Sequence, residues 1–137
     1  SVLPESVASR IHVAAVSMED REVNATVVNA VQRVSSVVTQ RSLIEAFGLT
    51  VSEAMWKKAP VVASAVGGIR DQIDDGVDGV LVDPADGLAW AEAVRDLLLF
   101  PERAQEMGLV AHESVRREFL SNRHLQDLLQ IVADLVG

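Results

Sequence analysis

Four short apolar runs punctuate the chain before residue 100: Ile11 to Val16, Ser36 to Gln40, Val61 to Ala63 and Val80 to Val82. Each is too short for a helix and rich in valine, and together they predict buried strands. The stretches around them carry helical signals. Val27, Val28, Val31 and Val34 recur at helical spacing within residues 23–34, and further helices are expected over residues 49–58 and 88–100. Parallel strands need long crossover connections, usually helices. Strand and helix in alternation therefore predict a parallel sheet with helices packed on it. Ala59-Pro60 ends one helix, with the proline at the edge of the next strand. Gly67-Gly68 forces a loop, residues 69–73 suit one helical turn, and Asp75-Gly76 and Asp78-Gly79 are turn signals. Asp83 or Asp86 can cap the helix that follows. Pro101 suits a first helical turn and opens a helix to about Phe119. Ser121 or Asn122 caps a last amphipathic helix to Val136. The expectation is one α/β domain over residues 1–137, with its sheet within 1–100 and only helices over 101–137.

Composition narrows the function. Apolar residues make up 49% of the 137, enough for a real core. The net charge of −8 repels nucleic acid and anionic lipid. No apolar run reaches the roughly 18–20 residues that span a bilayer, and nothing reads as a signal peptide. There is no cysteine, hence no disulfide and no thiolate metal site. A cytoplasmic protein that binds neither membrane nor nucleic acid agrees with all of this. His12, His112 and His124 are scattered, and Asp74, Asp75 and Asp78 fail the calcium-loop spacing, so no metal site is expected. Neither a dinucleotide fingerprint nor a Walker loop is present.

The stretch Glu45-Ala46-Phe47-Gly48-Leu49-Thr50-Val51-Ser52-Glu53 sets two carboxylates about a turn that opens into a helix. A helix start offers unpaired N–H groups and the positive end of the helix dipole, which suits a phosphate or diphosphate. Flanking carboxylates can accept hydrogen bonds from sugar hydroxyls. Each residue also has a plainer reading. Thr50-x-x-Glu53 fits a capping box. Glu45 can be a solvated surface charge, and Gly48 can serve only a positive φ. Gly67-Gly68 can be a flexible turn, or can let backbone approach a ligand closely. Phe47, Trp56 and Trp90 are expected in the core. Ligands of parallel sheets sit at the carboxyl ends of the strands, where loops 41–48 and 64–68 both fall.

The flanks of this motif carry a family resemblance. Gln40-Arg41-Ser42-Leu43 precedes it. Ala54 to Ala63, Ala65-Val66-Gly67-Gly68-Ile69-Arg70-Asp71-Gln72-Ile73 and Asp75-Gly76-Val77-Asp78-Gly79 follow it. Glu45 and Glu53 match the Glu-x7-Glu motif of retaining glycosyltransferases with the GT-B fold (group 1, family 4). Nearly the whole chain resembles the C-terminal, donor-binding domain of that family. Within the family it is most similar to the trehalose glycosyltransferring synthases, relatives of the sucrose-phosphate and glycogen synthases. The resemblance implies a Rossmann-like sheet and a nucleotide-sugar site. It places Glu45 at the donor sugar as the catalytic position and Glu53 on the ribose hydroxyls. The backbone at Phe47, Gly48, Leu49 and Thr50 would hold the sugar and diphosphate, with Gly67 and Gly68 completing the donor site. Ala46, where relatives carry glycine, and Ile44, where they often carry a polar or basic residue, are departures.

By the same resemblance, the complete enzyme moves glucose from UDP-glucose or ADP-glucose to glucose, making α,α-trehalose. It needs no cofactor, and magnesium is not indicated. The first two strand–helix units of the family domain, which hold the basic partners of the diphosphate, do not match any residues here. In the family strand order 3-2-1-4-5-6 the run 11–16 is the third strand and 36–40 the fourth, so two sheet edges are expected to lie bare. The expected partners are a nucleotide sugar and an N-terminal acceptor domain or complementing chain, with homo-oligomerisation by swapping as a further route. The chain alone is expected to transfer little sugar. Lys57 and Lys58 fall on the wrong part of their helix, and Arg70 is a weak cationic candidate. Two other readings stay open: a non-catalytic module with a vestigial pocket, and a nucleotide-sugar 2-epimerase of the same architecture.

Overall fold

The structure is a computed structural model that describes residues 3–17 and 19–136, leaving out the side chains of residues 121–124, 126, 127 and 136. It contains two compact units, residues 1–31 and 32–137.

In the first unit, Pro4 precedes the short helix α1 (Glu5–Ala8), and the Asp20 carboxylate caps helix α2 (Arg21–Val34) by accepting from the N–H groups of Glu22 and Val23, both at 3.0 Å. The last turn of α2, from Gln32, belongs to the second unit. Residues 11–17 form no strand, against expectation. The reason lies in pairing: a strand is held by its neighbours' N–H and C=O groups. The described residues of this unit supply helices and connections only.

The second unit holds the sheet. Strands β1 (Val38–Gln40), β2 (Val61–Ser64) and β3 (Val80–Val82) are parallel and lie side by side in that order. Helix α3 (Leu49–Trp56) joins β1 to β2, and a 3-10 turn (Gly67–Ile69) follows β2. Helices α4 (Gly87–Leu99), α5 (Pro101–Glu118) and α6 (Ser121–Val136) complete the chain. Asp86 caps α4 through its carboxylate, which accepts from Leu88 N and Ala89 N, and Pro101 stands in the first turn of α5. The caps expected of Ser121 or Asn122 and the role of His124 rest on side chains outside the described ones.

Strand β2 is buried on both faces and organises the core by its two-residue period. Val61 and Ala63 pack with Val51, Ala54 and Met55 of α3 and with Ala111 and Val115 of α5. Val62 points the other way, into Val82, Trp90, Leu97, Ala104 and Met107. Helix α5 thus contributes to both clusters. Each fully buried side chain of this size contributes about 1.5–3 kcal/mol, so α3, β2 and α5 carry much of the unit's stability. Trp90 is in the core as expected, with its indole N–H donating to Asp83 O at 3.1 Å. Phe47 and Trp56 are not core residues: they are 41% and 40% exposed. Strands β1 and β3 each have a strand neighbour on one side only, so both edges of the sheet lack a further strand among the described residues. No helix of the described residues is long and apolar enough to cross a membrane.

Candidate functional site

Because the three strands are parallel, the loops after Gln40, Ser64 and Val82 emerge at one edge. Side chains tie these loops together. Arg41 reaches from the first loop to the third, donating from Nε and Nη2 to Pro84 O at 3.1 and 2.9 Å, with its guanidinium 5.7 Å from the Trp90 ring centroid. The second loop lies directly beneath the first. A Cβ on Gly67 would overlap Glu45 O, and a Cβ on Gly68 would overlap Ala46 O. Both glycines are therefore needed for close backbone approach, and Gly67 also has φ +47°. The flexible-turn reading of this pair gives way to a packed one.

Helix α3 begins at Leu49 from Gly48, which adopts the left-handed conformation (φ 91°, ψ 58°) with no side-chain cap. A Cβ there would come within 2.9 Å of Ile69 Cγ1. The capping box that Thr50 and Glu53 could have made is not formed: the helix starts one residue before Thr50, and no side chain caps it. Among the described residues the N–H groups of Gly48, Leu49 and Thr50 have no protein acceptor, and the exposed Glu53 carboxylate has no protein donor. Glu53 stands one turn inside the helix, about 5–6 Å along the axis from its start. Unpaired N–H donors at a helix start attract anions, while a carboxylate one turn away accepts from hydroxyls.

Glu45 is half-buried and oriented. Gln40 Nε2 donates to Ser42 Oγ at 2.9 Å, which leaves the hydroxyl proton of Ser42 for Glu45 Oε2 at 3.4 Å. The chain thus brings Glu45, Phe47, Gly48, Leu49 and Thr50 into one loop and helix start, rests that loop on Gly67 and Gly68, and sets Glu53 on the same helix. Ala46 is exposed beside Glu45, and Ile44 is 91% exposed.

The basic residues are occupied around this edge. Arg70 Nε donates to Ala65 O at 2.5 Å. Lys57 Nζ donates to Oε1 of the buried Gln32 at 2.6 Å, and Gln32 Nε2 reaches Thr50 O at 3.4 Å. No group of three His, Asp or Glu among the described residues could hold a metal ion. Phe47 leans edge-on against Phe119 (centroids 6.1 Å, planes at 65°), and a cavity of about 230 Å³ between α3 and the end of α5 shares Phe47, Leu49 and Glu53 with the site. Ser42, Gln32 and Gln72 were not singled out from sequence. The serine three positions before Glu45 was the one local signal available, and the two glutamines act across long sequence separations.

Comparison with known proteins identifies the family and the fold. The family model for glycosyl transferases group 1 matches residues 21–113. Trehalose synthase of Pyrococcus horikoshii is 49% identical over 115 residues, covering 84% of this chain and 27% of its own length. Trehalose synthase of Rubrobacter xylanophilus is 50% identical over the same extent, again 84% and 27%. The chain therefore spans about a quarter of these relatives' length. Among solved structures, sucrose-phosphate synthase from Thermosynechococcus elongatus superposes with a TM-score of 0.72 at 32% identity, over 88% of this chain and 29% of that one. Anabaena Alr3699/HepE in complex with UDP-glucose shares the fold at a TM-score of 0.68 and 21% identity, over 77% and 30%. The three parallel strands and their helices are a Rossmann-like piece of the GT-B fold, and the chain belongs to the group 1 glycosyl transferases.

Proposed function

We propose that the chain is the donor-binding part of a retaining glycosyltransferase that makes trehalose from a nucleoside diphosphate glucose and glucose. One observation carries the reading: three unpaired N–H groups at the start of α3 stand between an oriented Glu45 and an unpartnered Glu53. Similarity to the trehalose synthases supports the choice of reaction. The diphosphate lies against the N–H groups of Gly48, Leu49 and Thr50. Glu53 accepts from the ribose hydroxyls, and Glu45 accepts from the hydroxyls of the donor glucose. In the transfer, the bond from the glucose anomeric carbon to the diphosphate oxygen breaks, and the oxygen keeps the electron pair. The acceptor oxygen forms the new bond on the same face as its O–H bond breaks, and the proton passes to the departing diphosphate oxygen. Preorganised N–H donors and the helix dipole stabilise the charge that grows on the leaving diphosphate. An acceptor domain or complementing chain, together with cationic groups for the diphosphate, completes the catalytic site.

Calorimetric titration of the chain with UDP, UDP-glucose and ADP-glucose tests the reading. We expect saturable binding of at least one of the three, weakened about 10-fold or more by Glu53→Ala, since hydrogen bonds to a charged group are worth about 1.5–3 kcal/mol. Little glucosyl transfer is expected from the chain alone. A wild-type chain that takes none of the three nucleotides overturns the donor-site reading in favour of a non-catalytic module.

A further inference from the structure

We infer that Gln72 is a positioning residue whose buried side-chain amide aims the Gly48 N–H at the donor diphosphate. The ligand half of this inference rests on the donor-site reading above; the positioning half does not.

Gln72 is 3% exposed and follows the 3-10 turn that lies under the first loop. Its Nε2 donates to Phe47 O, across 25 positions of sequence. The orientation of the amide follows from chemistry: a carbonyl oxygen accepts only, so the nitrogen must face it. The Phe47–Gly48 peptide is trans and planar. Its C=O and the Gly48 N–H therefore point in opposite directions. Holding the carbonyl on Gln72 fixes the N–H of the buried Gly48 on the opposite side of the peptide, where it has no protein acceptor among the described residues. The left-handed Gly48 also accepts from Val51 N at its carbonyl, at 2.9 Å, and lies beside Ile69 and Glu45. Without the glutamine, no hydrogen bond among the described residues fixes the plane of the peptide between Phe47 and Gly48.

The other end of the amide argues for function over packing. Gln72 Oε1 is buried and has no hydrogen-bond partner. Buried unsatisfied polar atoms are rare and costly. Methionine or leucine would fill this space without that cost, whereas the amide supplies a donor to Phe47 O. It completes a four-point contact between the loops: Gly67 against Glu45, Gly68 against Ala46, Ile69 against Gly48, and Gln72 against Phe47. The first three shape the loop by volume, and Gln72 alone sets the direction of a peptide plane.

The test uses the full chain and reads positioning separately from binding. In the unaltered chain, labelled with 15N, the Gln72 side-chain amide protons are expected to exchange slowly with water. Rapid exchange overturns the hydrogen bond without any variant. Gln72→Met is expected to melt within about 5 °C of wild type, because it loses one hydrogen bond and one unsatisfied acceptor together. Its Gly48 amide resonance shifts and broadens in the absence of ligand, and its dissociation constant for UDP rises about 10-fold, equivalent to about 1.4 kcal/mol. Gln72→Glu sets a carboxylate against the carbonyl and is expected to move both readouts further. A Gly48 resonance unchanged in Gln72→Met overturns the inference, as does a displaced Gly48 resonance with unchanged UDP affinity. A displaced Gly48 resonance in variants of a chain that takes no UDP even as wild type upholds the positioning and overturns the donor-site reading alone.

Discussion

The segments 61–64 and 11–16 are built from the same kinds of residue, Val-Val-Ala-Ser in one and Ile-His-Val-Ala-Ala-Val in the other. The first is the central strand of the sheet, with all four residues buried. The second forms no strand, and its Val13 is 94% exposed. Local propensity does not separate them. Strand β2 has β1 on one side and β3 on the other, α3 over one face, α4 over the opposite face, and α5 in both clusters. Residues 11–16 have no strand beside them among the described residues of their own unit. Valine favours a pleated, half-buried surface where one exists and does not create it.

The widest gap between these segments should open on introducing a charge. Val62→Asp places a carboxylate among the apolar side chains of Val82, Trp90 and Met107. The expected loss is about 4 kcal/mol or more, a large part of the roughly 5–15 kcal/mol that holds a typical domain. Val13→Asp changes an exposed position and should fall within about 0.5 kcal/mol of wild type. Urea denaturation followed by circular dichroism measures both. Equal losses would break the comparison, because they would mean that residues 11–16 are held as firmly as β2.

A smaller effect separates packing from ligand contact at the loops. Gly68→Ala adds a Cβ against Ala46 O and the Phe47 Cα. Both obstacles are backbone, so the first loop must move. The expected loss of stability is about 1–3 kcal/mol, together with weaker UDP binding in the same titration that tests Glu53→Ala. Stability lost without any change in binding would separate the Gly67–Gly68 contact from the donor site.

The sheet was readable because its signals are local. The runs at 61–63 and 80–82, the cap at Asp86 and Pro101 at a helix start each express a short-range preference that the tertiary structure then agrees with. The strand expected at 11–16 failed because pairing is a property of neighbours. The capping box failed for a subtler reason. Thr50-x-x-Glu53 has the right spacing, but Gly48 in the left-handed region starts the helix earlier and leaves Glu53 unpartnered. The aromatics were misjudged in the same way: Phe47 and Trp56 lie beside the core rather than in it, one edge-on to Phe119 and the other stacked on His112 at 4.5 Å. Within the site, Glu45, Gly48 and Glu53 were legible from spacing and family resemblance. The Gln72–Phe47 and Arg41–Pro84 bonds were not, since they join residues 25 and 43 positions apart.

The smallest effect belongs to a pair that needs no distant neighbour. Glu113 and Arg116 lie one turn apart on the exposed side of α5, with Arg116 Nε 2.8 Å from Glu113 Oε2. That hydrogen bond, helped by the positive charge of Arg116, holds the Glu113 carboxyl below its ordinary range, against a slight upward push from desolvation. A carboxyl lowered in the folded state adds stability above the unfolded value of about 4.3 and loses it as pH falls through that value and below. Glu113→Gln should therefore sit slightly below wild type in thermal midpoint at pH 7, and the two should converge toward pH 3. Salt should narrow the gap at pH 7, because water and ions screen an exposed pair. A gap that persists at pH 3, or ignores salt, would mean that Glu113 acts through packing and not charge. Its contribution would then depend on neighbours, as that of β2 does, and the contrast between locally held and neighbour-held structure would have to be redrawn within α5 itself.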